Sequence, residues 1–239
     1  MRKIDFEKER SFENKKVKDH GMVRGAQNKY YWATNEGISE FDLKVKQLSH
    51  GKSILEVGCS AGLMAAIYAS SASSYVGVDI SDDAIALASS KNLMNCRFEE
   101  CDAHNLPFSN GSFDLVVVNS LLHHLDLEIA LREINRVLKV GGHLLLREPL
   151  GVNPLFQLYR YVTPGARTPD EKPFDLKDLK LVKHIFAVNR AEFFGFSVLL
   201  TAFLRSSHLR QILAKVDKIL AMTPLKYLFW QVEMTVSKR

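Results

Sequence analysis

Cysteine is scarce in this 239-residue chain. The three present, Cys59, Cys96 and Cys101, are odd in number and lack paired C-x2-C spacing. That excludes a disulfide framework or a zinc ribbon and fits a reducing compartment. Long apolar runs are missing too. The most densely apolar uncharged one, from Phe193 to Leu204, is bounded by Glu192 and Arg205, short of the about 20 residues a spanning helix needs. The first ten residues hold no apolar stretch, so no secretory signal is expected and the expected location is cytoplasmic. Charge of a single sign is absent as well. The net +5 conceals an acidic centre, with 7 Lys/Arg against 12 Asp/Glu over residues 51–150, and a basic end, with 14 against 7 over residues 151–239. A uniformly basic nucleic-acid module is thereby disfavoured. There is no internal repeat.

What is present suffices for a full core: 46% of residues are hydrophobic and 25% charged, the balance of a folded globular chain. From Ser53 to Pro149, apolar bursts alternate with helical patterns, which predicts βαβ units on a parallel sheet. Strands are expected at 53–57, 74–79, 96–100, 113–119 and 143–147. Ser81 is expected to cap a helix over 82–90, and Asp126 one running to Leu138 and ended by Gly141-Gly142. The unbroken Val116-Val117-Val118 run predicts a strand buried on both faces. Residues 1–50 read as a helical cap or lid, and 51–239 as the main domain. Five of the seven prolines fall between Pro149 and Pro173, marking an irregular insertion over 149–176. Beyond it a helix over 178–185, a strand over 187–194, an amphipathic helix around 209–220 and a terminal strand with one wet face complete the pattern.

The first strand ends in Glu56 and runs into Gly58-Cys59-Ser60-Ala61-Gly62. Such a turn brings bare backbone to the carboxyl edge of the sheet, where open α/β sheets bind ligands. A dinucleotide fingerprint would read G-x-G-x-x-G, and Ser60 and Leu63 occupy its second and third glycine positions. Asp79, ending the second strand, suits the vicinal hydroxyls of a ribose, because a carboxylate accepts such bonds strongly. Asp102-Ala103 suits an adenine amine, and Asn119 ends the fourth strand beside the first.

Together these residues resemble the class I S-adenosylmethionine-dependent methyltransferases, especially the small-molecule branch with the ubiquinone and menaquinone methyltransferases. The pattern E-x-G-x-G-x-G matches at Glu56, Gly58 and Gly62, with Ser60 as the middle residue. Val78-Asp79-Ile80-Ser81 resembles the ribose-binding segment, and Cys101 to Phe108 the adenine-binding loop. Leu121-Leu122-His123-His124-Leu125 and Leu138-Lys139-Val140-Gly141-Gly142 continue the likeness, which covers about residues 50–150. The resemblance implies a Rossmann-like α/β fold of seven strands, order 3-2-1-4-5-7-6, the last antiparallel. It implies S-adenosylmethionine as cofactor and S-adenosylhomocysteine as product. Cofactor contacts are implied from Glu56, Gly58, Cys59, Gly62, Asp79, Ile80, Asp102, Ala103 and Asn119.

Methyl transfer from a sulfonium is an in-line displacement, so alignment carries much of the catalysis. An oxygen acceptor also gains from a base titrating near neutrality. His123 and His124 are the candidates, His124 favoured; a carbon nucleophile needs none. No carboxylate-and-histidine set shows metal-ligand spacing, so no metal is expected. Tyr30 and Tyr31, with Tyr159, Arg160 and Arg167 of the insertion, are expected to enclose a small-molecule or lipid-linked acceptor. Basic residues among the apolar ones after Arg190 suggest peripheral contact with an anionic membrane. Because the motifs describe binding rather than turnover, a non-catalytic partner or regulatory protein that binds the same cofactor stays open. Nucleic acid is not an expected partner, since Asn119 is followed by Ser120-Leu121 rather than by Pro-Pro and an aromatic. The oligomeric state is not written in the sequence.

Overall fold

The fold is described from a computed structural model, over residues 6–20, 35–162, 171–201 and 206–239. Seven strands form one sheet: β1 (Ser53–Val57), β2 (Ser74–Asp79), β3 (Cys96–Glu100), β4 (Phe113–Asn119), β5 (Leu138–Pro149), β6 (Phe186–Phe194) and β7 (Gln231–Lys238). Their order is β3-β2-β1-β4-β5-β7-β6. The first five pair in parallel, and β7 runs antiparallel to both β5 and β6. This is the expected α/β topology.

Strand alternation divides the core in two. Leu55, Val57, Val116, Val118, Leu144 and Leu146 face one layer, while Ile54, Leu115, Val117 and Leu145 face the other with Phe41 and Tyr68. The unbroken run in β4 is therefore buried on both sides, as expected. The helices follow in chain order: α1 (Phe6–His20), α2 (Asn35–Leu48), α3 (Ala65–Ala69), α4 (Asp82–Ser90), α5 (Leu127–Val137), α6 (Pro154–Val162), α7 (Leu176–Ile185) and α8 (Ser207–Leu220). Ser81 caps α4 by accepting from the Ala84 amide, and Asp126 caps α5 through the Ile129 amide. Asp175 and Asp178 form a reciprocal capping box at the start of α7.

Three expectations shift. Gly141-Gly142 do not end α5, which stops at Val137; they lie inside β5, where its register against β4 slips between Phe113 and Leu115. Gly141 holds φ +74°, and a Cβ on Gly142 would lie 2.9 Å from the Lys139 carbonyl. The pair is thus a strand irregularity that only glycine fits. The wet face of β7 is mostly dry, because α2 packs over it. Gln231 and Glu233 are buried, and Lys44 of α2 meets the carboxylates of Glu233 and Glu192. The apolar stripe of α8 is only partly covered: Leu209, Leu213 and Leu220 are half-buried, while Ile212, Val216 and Ile219 are exposed. This helix is anchored instead by buried Asp217, whose carboxylate accepts from the amides of Phe196, Ser197 and Val198.

No helix among the described residues is long and apolar enough to cross a membrane. Helix α1 lies against α4 and the end of β3. Asn14 donates to Asp82 and accepts from the Ser81 hydroxyl, and Arg10 pairs with Glu100 at 2.8 Å.

Candidate functional site

The carboxyl ends of β1 to β4 meet along one edge of the sheet, and a cavity of about 170 Å3 opens there. Gly58, Asp79, Ile80, Asp102, Ala103 and Asn119 line it, together with Ser60, Ser120, Leu121 and His124. Glu9 and Glu13 of α1 close the opposite side. The volume is below the about 300–1,000 Å3 of ordinary ligand pockets, because α1 lies across the mouth.

Asp79 organises this edge. One carboxylate oxygen accepts from the Ser60 amide at 2.8 Å and the other from the Ser81 amide at 3.0 Å. Burial pushes its pKa up, and those amide bonds oppose the rise. Gly58 turns the chain at φ +79°, and a Cβ there would lie 2.9 Å from Leu121 Cδ2. Ser60 follows at φ +48°, a left-handed conformation that costs a non-glycine residue of order 1 kcal/mol. Ser60→Gly is accordingly expected to stabilise the chain by about 0.5–1 kcal/mol in chemical denaturation. A loss of stability instead would show that the serine side chain compensates its own strain.

Asp102 is held from the second loop. His104 donates from Nδ1 to it at 2.6 Å and accepts the Asp126 amide at Nε2, which fixes the imidazole as a neutral tautomer. Asn119 accepts from Arg147 Nε at 3.1 Å. Four carboxylates, Glu9, Glu13, Asp79 and Asp102, and no Lys or Arg line the cavity among the described residues. Such a concave acidic site concentrates cations. This set of acceptors therefore fits a ligand with vicinal hydroxyls, an amine and a positive centre, as S-adenosylmethionine has.

The remaining residues expected at the cofactor stand elsewhere. Gly62 and Cys59 pack behind the loop: the Gly62 carbonyl accepts from Lys91 Nζ, and the Cys59 side chain lies against Gly77. Glu56 points to the other face of the sheet, where the Tyr75 hydroxyl donates to it. Burial, aided by the charges of Asp42 and Asp79, pushes the Glu56 carboxyl up to about 8 despite that bond. The folded state then holds a proton that the unfolded chain, at 4.5, releases. This contribution to stability is complete below pH 4.5 and is lost as pH rises through about 8. Over that window the unfolding free energy of the native chain is expected to fall more steeply than that of Glu56→Gln, by up to about 1.4 kcal/mol per pH unit. Equal slopes in urea titrations at a series of pH values would refute the assignment.

The two histidines form a separate corner on the short turn Leu122–His124 after β4. His123 is buried and donates from Nδ1 to Glu148 Oε2 at 2.6 Å. Glu148, fully buried at the end of β5, also accepts the amides of Leu121 and Leu122 at 3.0 and 2.8 Å. Burial lowers the His123 pKa against the pull of Glu148. His124 stacks at a tilt, 4.1 Å between ring centres, and lines the cavity. Its Nδ1 lies 3.0 Å from Glu9 Oε1 without hydrogen-bond alignment. Arg160, expected at the acceptor, pairs with Glu171 at 2.7 Å beside this corner. Tyr159 lies on α6, while Tyr30, Tyr31 and Arg167 fall outside the described residues.

Sequence reasoning gave no role to Glu148 or Glu171. The first was detectable in principle, since β5 was placed beside β4 and an acid ending it must neighbour the turn after Asn119. The second is brought in from the insertion by the Lys172 amide, which donates to the His123 carbonyl, and nothing local in the sequence signals that.

Residues 55–146 match the family model described as a methyltransferase domain. The uncharacterized methyltransferase YcgJ of Bacillus subtilis is 36% identical over 98 residues, 39% of each chain. The fatty-acid O-methyltransferase of Mycolicibacterium smegmatis is 35% identical over 99 residues, 40% of this chain and 36% of its own. The match thus spans about two fifths of these relatives' length. Among solved structures, YcgJ from Bacillus subtilis superposes with a TM-score of 0.60 at 21% identity, covering 84% of this chain and 99% of that one.

Proposed function

We propose that this chain, whose residues 55–146 match a methyltransferase-domain family model, is a class I S-adenosylmethionine-dependent methyltransferase that transfers the sulfonium methyl to a small-molecule or lipid-linked acceptor. The observation that carries the reading is the acidic cavity at the ends of β1 to β4, with Asp79 placed for the ribose and Asp102-Ala103 for the adenine. Bound there, the cofactor supplies an electrophilic methyl on a positively charged sulfur. The residues of this chain orient it. Asp79 accepts the sugar hydroxyls, the Gly58–Ser60 turn gives close backbone approach, and Glu9 and Glu13 offset the positive charge. Helix α1 acts as a lid that lifts for entry and excludes water on return. The histidine corner serves the acceptor end of the cavity, where His123 and His124 assist loss of the acceptor's proton when the nucleophile is oxygen.

Support for a lipid-linked acceptor comes from two directions. One similar protein is a fatty-acid O-methyltransferase. In addition, the exposed Ile212, Val216, Ile219 and Met222 of α8 and its end lie beside Arg210, Lys215 and Lys218, a composition suited to an anionic lipid surface. Co-flotation with phosphatidylglycerol vesicles but not with phosphatidylcholine ones is the expected result; equal behaviour with both removes that element.

Methyl-labelled cofactor incubated with small-molecule and lipid extracts tests the reaction itself. Label transfer that requires the protein is expected. Tight binding without transfer to any fraction would mark a non-catalytic cofactor-binding protein instead.

A further inference from the structure

The histidine corner holds more than a proton relay needs. Imidazole nitrogens of His123 and His124 and a carboxylate oxygen of Glu171 all lie within 4.8 Å of one another. The Nδ1 of His123 donates to Glu148, so its Nε2 lone pair faces away from that partner. A carboxylate behind an imidazole is the supporting bond commonly found at metal-binding histidines, where it sets tautomer and ring angle. The His124 side chain is about nine-tenths buried, and its Nδ1 has no hydrogen bond. Glu171 is steadied through Oε1 by Arg160, which leaves Oε2 to another partner.

We propose that His123, His124 and Glu171 bind a divalent transition-metal ion. Two imidazoles and one carboxylate suit zinc, manganese or ferrous iron better than magnesium or calcium, which prefer all-oxygen shells. A common ion about 2.0–2.2 Å from each donor brings the donors to about 3 Å of one another, a change that side-chain rotation supplies. Three protein ligands leave positions for exchangeable ones. Because His124 lines the cavity, an open position faces the place assigned to the acceptor. An acceptor hydroxyl bound there would lose its proton more readily, to a carboxylate such as Glu9 on the cavity wall, and a carboxylate acceptor would be held in line with the methyl; the imidazoles then act through the ion instead of as free bases. Only this last role rests on the methyl-transfer reading; the ion site stands without it.

Cobalt(II) serves as the probe. The full chain, stripped with a chelator and dialysed, is titrated with Co2+ and followed by its visible d–d absorption. One ion per chain, displaced by Zn2+, is expected. His123→Ala and Glu171→Gln should each weaken binding by about 100-fold, and Glu148→Gln by about 10–100-fold through loss of support. His184→Ala, on α7, should leave it unchanged. Should His123→Ala fail to fold, Glu171→Gln decides the matter, since Glu171 belongs to neither apolar cluster. Absence of a Co2+ spectrum up to millimolar metal, or stoichiometric binding that survives Glu171→Gln, would overturn the proposal. Asp79→Asn separates the two readings: it should abolish tight cofactor binding and leave the Co2+ spectrum intact.

Discussion

Asp79→Asn is expected to weaken S-adenosylmethionine binding by about 100-fold, roughly 3 kcal/mol. Each oxygen of this half-buried carboxylate already accepts one backbone amide, from Ser60 and Ser81. An ionised acceptor also strengthens every further bond from a sugar hydroxyl. The amide replacement removes the charge and turns an NH2 donor toward one of those two N–H groups. Donor then faces donor at the cavity wall. Titration calorimetry with cofactor and with S-adenosylhomocysteine measures the loss, and both should suffer alike because the ribose is common to both. A change of less than threefold for either ligand would show that the ribose is held elsewhere.

Glu148→Leu should produce the largest fall in stability. The carboxylate satisfies three donors at once, the amides of Leu121 and Leu122 and the Nδ1 of His123, all in an environment closed to solvent. Leucine fills the space and strands all three. Breaking a buried network from one side costs about 3–5 kcal/mol, and for a chain of this size each kcal/mol lowers the melting temperature by about 2–4 °C. A fall of about 6–20 °C in thermal unfolding is therefore expected. Glu148→Gln is the informative companion. Its carbonyl oxygen still serves the two amides, but its NH2 meets His123 Nδ1 and forces the other tautomer, which nitrogen chemical shifts report. A Leu variant melting within 2 °C of the native chain would show that water replaces the carboxylate.

The sheet was legible because its signals are local and repeated. Apolar bursts such as Phe113 to Val118 and the caps Ser81 and Asp126 need only their neighbours to be read. Asp79, Asp102 and Asn119 were legible for a related reason, since a strand end in a parallel sheet fixes where its last side chain stands. Glu56 shows the limit. It adjoins the loop in sequence, but a strand alternates faces, and the phase of β1 turns this carboxyl toward Tyr75 on the far side. The partly uncovered stripe of α8 and the dry face of β7 escaped sequence reading for the same cause. Periodicity reports which residues share a face, and only the tertiary neighbours, here α2 with Lys44, decide what that face meets. Glu171 required the insertion to double back on the histidine turn, a long-range event with no local trace.

On the proposed reading, the first helix sets how often the site opens. None of its described side chains joins either apolar cluster; its contacts with the sheet domain include Arg10 with Glu100, Asn14 with Ser81 and Asp82, and Glu9 beside His124. Contacts of this sort are individually worth under about 1 kcal/mol and weaken with added electrolyte. As the proposed lid, this segment is expected to detach far more often than the whole chain unfolds, so the doorway would swing many times for each occasion on which the building falls.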